Sequence, residues 1–362
     1  MIEIPKTMRA AVTVAWNEVR VMEVPVPALR PGEVLCRVRA CGICGTDLKI
    51  MAGVFADSKK WPRELPFIQG HEWSGEVVAL GPGVTQEDIK IGDRVVGESH
   101  MFCGTCRMCQ EGNYHMCDRA GGEKAYEKGF YLYGHDAPGA FAEYVARPLS
   151  LLYRVPESLS WEEAAIGNQA AVALHLADRG DIKAGYKVVV LGPGHLGLLS
   201  LQIAKAMGAT TVIVTGRDDQ RLALARELGA DYTVDIREDA PERRILELTG
   251  GGADVVLECA GTPEAVCTAL EVARKGGKVV LGGLTGGKQV AIDPDKLVLK
   301  ELDVRGSHAR VNSQTRALEM IAKGLINARK LVSFTFPLEE INKAYNTFKD
   351  RNNRAIRVIV QP

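Results

Sequence analysis

Hydrophobic and polar residues alternate in short runs along the first third of the chain. Ala10-Ala11-Val12-Thr13-Val14 and Val34-Leu35-Cys36-Arg37-Val38 have the period of strands, and Pro25, Pro27 and Pro31 punctuate them. Gly75 to Leu80, Gly92 to Gly97 and Gly139 to Val145 continue the pattern, which reads as an irregular β domain. Within it, Asp47 is expected to start a short helix running through Leu48 to Met51. After Pro156 the pattern changes. Ser160 with Glu163 three positions on is a capping box for a helix at Trp161 to Ala165, and a helix rich in Ala170, Ala171, Ala173 and Leu174 is expected to follow. Lys187-Val188-Val189-Val190-Leu191 is a continuous apolar run, as in a strand buried on both faces of a parallel sheet. An amphipathic helix through Ala206 and a strand at Thr211 to Thr215 follow. The same alternation returns at Ala253 to Cys259 and Gly277 to Gly283, which predicts a doubly wound α/β sheet. From about Lys300 the character shifts again, and Arg354 to Val360 reads as a closing strand returning to the first domain. The expected division is therefore residues 1–157 with 300–362, and residues 158–299.

A length of 362 residues suits two domains, and 46% apolar content suits a sizeable core. Lys plus Arg and Asp plus Glu both number 45, so no nucleic-acid or acidic-membrane partner is implied. Met1 to Lys6 lack the layout of a signal peptide, and no apolar run approaches the ~20 residues of a membrane span. A cytoplasmic protein is expected. No repeat period suggests a solenoid or propeller.

Nine cysteines in so long an α/β chain do not read as a disulfide framework. Cys103, Cys106 and Cys109 stand at C-x2-C-x2-C, and Cys117 follows eight positions on. Four thiolates at that spacing close a tetrahedral shell around one structural zinc, with an iron–sulfur cluster as the alternative. Cys36, Cys41, Cys259 and Cys267 lie in apolar runs and are expected to be packing residues. A different chemistry is predicted where Gly42-Ile43-Cys44-Gly45-Thr46-Asp47 and Gly70-His71-Glu72 meet: a thiolate, an imidazole and a carboxylate, which is a catalytic zinc set with one position open.

Gly192-Pro193-Gly194-His195-Leu196-Gly197 follows a strand and opens a helix, so its turn is expected to cradle a dinucleotide pyrophosphate. The second strand ends in Gly216-Arg217-Asp218. An NAD enzyme places a carboxylate at the strand end; a vacated position beside a guanidinium favours NADP(H), while Asp218 turned onto the ribose would keep NAD(H) open.

Taken together these motifs resemble the zinc-containing medium-chain dehydrogenase/reductase superfamily of the alcohol dehydrogenase type, over essentially the whole chain and nearest its polyol and threonine dehydrogenase branch. The resemblance implies a GroES-like, β-rich catalytic domain, a Rossmann cofactor domain, two zinc ions per chain, and a homodimer or homotetramer joined through an edge strand after Gly277. It implies that Cys44 and His71 are catalytic-zinc ligands with Glu72 beside or on the metal, that Thr46 passes the substrate proton outward, and that Asp47 orients His71. It also implies that Gly192, Gly194 and Gly197 form the pyrophosphate turn, with Arg221 near the adenosine ribose and Arg357 near the pyrophosphate. Two positions depart from the family pattern. Asn168 stands where relatives supply a further zinc ligand, and is expected to hydrogen-bond a water or the substrate instead. Lys49 stands where many carry a relay histidine. The implied activity is reversible oxidation of a secondary alcohol of a polyol, cyclitol, sugar or amino alcohol by NAD(P)+. The alternatives are an NADPH-dependent ketone reductase and a nucleotide-binding redox sensor holding only the structural zinc.

Overall fold

The computed structural model describes residues 4–56, 61–62, 64–120 and 131–362. Of the N-terminal stretch read above, Met1 to Glu3 lie outside the described residues. The chain divides into two compact units. The first comprises Met1–Asn168, Gln314–Ala322 and Ala328–Pro362; the second comprises Gln169–Ser313 and Lys323–Asn327.

The first unit begins with β1 (Thr7–Ala15), β2 (Glu18–Pro25), β3 (Glu33–Gly42), β4 (Phe67–Ile68), β5 (Glu72–Leu80), β6 (Arg94–Gly97), β7 (Tyr144–Pro148) and β8 (Leu152–Arg154). β2, β1 and β4 form a small antiparallel sheet. β3 is buried along nearly its whole length and pairs antiparallel with β5 and β7. Trp73, Phe141 and Ile43 fill the core beneath that sheet. The last strand of the chain, Arg357–Gln361, adds to β3 on the edge opposite β5, with Ile359 opposite Gly42. Gly42 in turn lies opposite Glu72 on β5. Three distant segments therefore converge where β3 ends, immediately before Cys44.

The second unit contains β9 (Lys187–Leu191), β10 (Thr211–Gly216), β11 (Tyr232–Asp235), β12 (Ala253–Glu258), β13 (Ala273–Leu281) and β14 (Asp303–Gly306). All pairings are parallel, in the order β11-β10-β9-β12-β13-β14. Two βαβ halves thus meet between β9 and β12, the switch point of a doubly wound sheet. Residues 188–191 of β9 and 255–258 of β12 are buried, as their Val-rich sequences require when both faces are covered.

Both expected domain boundaries move. β14 lies beyond Lys300 and completes the cofactor sheet, so residues 300–313 belong with the second unit. Asp303-Val304-Arg305-Gly306 is short and half polar, as an edge strand tolerates, and so carries little apolar signal. The other boundary falls inside the helix Trp161–Gly180, whose residues through Asn168 group with the first unit. A helical period gives no sign of such a change. The Ser160–Glu163 capping box forms as expected, with Ser160 N–H donating to Glu163 (2.9 Å) and Glu163 N–H to Ser160 Oγ (3.2 Å). Among the described residues, no helix is long and apolar enough to cross a membrane.

Candidate active site and metal centres

The helix after β3 runs Gly45–Met51, two residues earlier than expected, with Cys44 at its N-cap in extended backbone. Asp47 is its third residue rather than its start. From there Asp47 Oδ2 accepts the Cys44 N–H at 2.7 Å, holding the cysteine at the mouth of the helix. The other carboxylate oxygen lies 3.3 Å from His71 Nδ1. That leaves Nε2 as the ligand nitrogen, and it lies 3.6 Å from Glu72 Oε1. The donor atoms of Cys44, His71 and Glu72 all fall within 4.8 Å of one another. Asp47, His71 and Glu72 are buried and Cys44 is half-buried.

Burial pushes the Cys44 thiol up, but the hydrogen bond and charge of His71 outweigh it and bring the pKa down to about 7. Burial pushes His71 down, but Asp47 and Cys44 outweigh it and raise the pKa to about 10. One soft thiolate, one imidazole fixed by a carboxylate and one carboxylate oxygen fit a catalytic zinc with an open position.

Glu72 and Arg357 complete the centre. The Arg357 guanidinium is buried, paired with the Glu72 carboxylate, and donates to the Ile43 carbonyl at 2.9 Å. A Cβ at Gly42 would stand 3.1 Å from Glu72 Oε2 and 3.4 Å from Arg357 Nε, so a side chain there would crowd this pair. Within the first unit Arg357 is thus the counter-ion of Glu72. Asn168 is likewise buried, but its amide donates to the backbone carbonyls of His71 (3.1 Å) and Gly97 (3.4 Å). It braces the ligand-bearing segment, leaving Oδ1 as the acceptor. Lys49 is exposed on the far half of the helix, and Thr46 is half-buried in its first turn.

His135 joins these surroundings without a local sequence signal that places it there. Its ring packs 4.4 Å from His71 and 4.9 Å from Trp61, centroid to centroid. The signal available was Gly134-His135-Asp136 between strand-like runs, which nothing in the pattern ties to residue 71.

Cys103, Cys106, Cys109 and Cys117 form the second cluster. Cys103 and Cys109 sulfurs lie 4.0 Å apart, and those of Cys106 and Cys117 3.9 Å. A tetrahedral zinc with ~2.3 Å bonds sets sulfur–sulfur edges near ~3.8 Å, so the lobe fits one ion. Backbone N–H groups of Thr105 (3.4 Å) and Cys106 (3.2 Å) point at Cys103 Sγ. Burial raises the Cys103 pKa, but these donors outweigh it and lower the pKa to about 6. All nine cysteines are free thiols; Cys36 and Cys41 are buried as expected, whereas Cys267 is exposed on the outer face of its helix.

In the second unit β9 leads into Gly192 (φ 103°) and the helix His195–Ala206, with Gly194 at its N-cap. A Cβ at Gly197 would collide with the Gly192 carbonyl, which explains the closeness of turn and helix. His195 Nε2 lies 3.3 Å from Gln169 Oε1, and burial, then Arg221, lower the His195 pKa to about 4. Leu196 is half-buried beside it. Gly216 ends β10 and Arg217 is exposed. Asp218 caps the next helix, accepting the Arg221 N–H at 3.0 Å, and Asp219 pairs with Arg237 at 2.5 Å.

Residues 30–157 match the alcohol dehydrogenase GroES-like domain family and residues 196–323 the zinc-binding dehydrogenase family. The chain is 33% identical to a sorbitol dehydrogenase from Bacillus subtilis (strain 168), over 99% of this chain and 98% of that enzyme. It is 40% identical to an L-threonine 3-dehydrogenase from Pyrococcus abyssi, over 80% of this chain and 79% of that one. A crystal structure of a zinc-binding dehydrogenase from Sinorhizobium meliloti 1021 bound to NADP is 34% identical, with a TM-score of 0.86, covering 99% of this chain and 100% of the other.

Proposed function

We propose that this chain, which belongs to the zinc-containing medium-chain dehydrogenases, oxidises the secondary alcohol of a polyol, cyclitol, sugar or amino alcohol to a ketone, with NADP(H) as its preferred cofactor. The observation that carries the reading is the convergence of Cys44, His71 and Glu72 on one point, with Asp47 behind the imidazole. Zinc, when bound, supplies a Lewis acid that lets an alcohol lose its proton near neutral pH, and the nicotinamide accepts the hydride. The protein's part is to hold and orient. Asp47 fixes the His71 tautomer, Arg357 balances the Glu72 charge, and Asn168 anchors the His71 backbone while its Oδ1 accepts from a water or substrate hydroxyl. Thr46, two residues from Cys44 in the same helical turn, passes the substrate proton outward.

NADP(H) is supported by the end of β10. No carboxylate closes the strand, and both following aspartates are engaged, Asp218 as a helix cap and Asp219 with Arg237. Among the described residues no ion pair or hydrogen bond holds the Arg217 side chain, which suits a 2′-phosphate. A polar substrate is supported by the polar surroundings of the cluster and by the sorbitol and threonine dehydrogenases among the relatives. Two zinc ions per chain, a cytoplasmic setting and a homodimer or homotetramer complete the proposal. The sheet edge available for such pairing is β14 rather than β13, which is flanked on both sides. The test is the ratio of kcat/KM for NADP+ over NAD+ across a panel of polyols and amino alcohols, with zinc measured per chain. A clear NAD+ preference overturns the cofactor assignment; inactivity with every alcohol at full zinc loading overturns the reaction.

A further inference from the structure

Glu258 closes β12 and is 0% exposed, yet the chemistry above does not use it. Its Oε1 accepts the N–H groups of Ala260 (2.8 Å) and Gly261 (2.7 Å), and its Oε2 accepts that of Gly283 at 3.2 Å. Its main-chain carbonyl accepts from Gly282 (2.9 Å) and Gly283 (3.1 Å), and the next residue, Cys259, donates to the Leu191 carbonyl at 2.9 Å. The turns leaving β9, β12 and β13 are thereby fastened at one point. Ala260 is also the wall behind the glycine turn, because a Cβ at Gly192 would stand 2.9 Å from Ala260 Cβ and 3.0 Å from its N and Cα.

A carboxylate buried this deeply is costly unless its oxygens are satisfied, and burial does push the Glu258 pKa up. Three N–H donors from two separate turns offset that cost. What they hold is the rim where a doubly wound sheet binds its ligand: the carboxyl ends of β9 and β12, the switch point. The amides of Ala260 and Gly261 are turned inward to Glu258, so the turn starting at Gly192 is left to meet the phosphates while Ala260 supports it from behind.

We propose that Glu258 is a positioning residue for the dinucleotide: its carboxylate locks the turns at 259–261 and 282–283 against Gly192 and so sets cofactor affinity rather than the rate of the chemical step. This rests on the reading that the protein binds a nicotinamide dinucleotide. The test uses the full-length, zinc-loaded protein and an equilibrium fluorescence titration with NADPH in the absence of alcohol. Glu258→Gln keeps the volume but weakens the acceptor, and Glu258→Asp keeps the charge but shortens its reach. Both should bind NADPH about tenfold more weakly. KM for the cofactor should rise in parallel, while kcat at saturating cofactor and KM for the alcohol stay within about twofold. Folded variants with wild-type NADPH affinity overturn the proposal. So does a parallel fall in kcat and alcohol affinity, or loss of folding in both variants, because each makes Glu258 a general determinant of structure. Wild-type protein that binds neither NADPH nor NADH defeats the dinucleotide reading itself, an outcome distinct from the others.

Discussion

The two candidate metal clusters of the first unit are built in opposite ways. Cys103, Cys106, Cys109 and Cys117 come from one short segment, and much of what tunes them is the backbone N–H of that segment. Cys44, His71 and Glu72 come from two separate segments, and two of them depend on side chains brought from elsewhere: Asp47 behind His71, Asn168 on the His71 carbonyl, and Arg357 on Glu72. Four like donors complete a shell and leave nothing for a substrate. Three unlike donors leave a position open, and their protein partners set its charge and orientation. A closed site thus needs only local chain, whereas an open one recruits the fold.

The sharpest break of this comparison is Cys44→Ser. Turnover should fall at least about a thousandfold and zinc drop from two to one per chain, while NADPH titration remains as in wild type. Retained turnover would remove the thiolate from the mechanism. Cys109→Ser should do the reverse, losing the other zinc and several kcal/mol of stability, seen as a lowered thermal midpoint, with activity failing through unfolding. A variant stable at wild-type temperature would show that the lobe is not a structural centre.

Asp47→Asn sharpens the contrast further. Removing the charge behind His71 should cost about ten- to a hundredfold in zinc affinity or activity, with no effect on the four-cysteine ion. Equal effects at both sites would mean that the helix has simply been disturbed. The last contrast needs no substitution and is read in pH. Zinc must displace the His71 proton, held to about 10, and below about 7 the Cys44 proton as well. Affinity at this site should therefore fall about tenfold per unit from pH 10 to 7 and more steeply below, measured by competition with a chelator of known affinity. A flat profile between pH 7 and 10 would show that His71 is not the group displaced.

How far the sequence could be read follows the same division. The four-cysteine lobe was legible from spacing alone, because all its donors share one short stretch. The glycine turn was legible because strand, turn and helix are consecutive, and the Ser160–Glu163 cap because its partners stand three residues apart. The pairing of Arg357 with Glu72 was not legible, since the antiparallel addition of the final strand to β3 decides its neighbour. The two backbone carbonyls that the Asn168 amide holds, those of His71 and Gly97, are announced by no local pattern. Nothing in the run Ala253 to Cys259 marks out Glu258; only the return of β13 beside it supplies the Gly283 donor.

What the sequence by itself determined is therefore the set of donors, the order of strands and helices, and the chemical class they imply. These depend on periodicity, on residue type, and on contacts that close within a turn or two of chain. The counter-ion of Glu72, the brace on His71, the carboxylate fastening three turns and the strand that ends the cofactor sheet were decided only by tertiary structure. Each joins residues far apart along the chain, and the register of strands, which local preference does not specify, determines who meets whom.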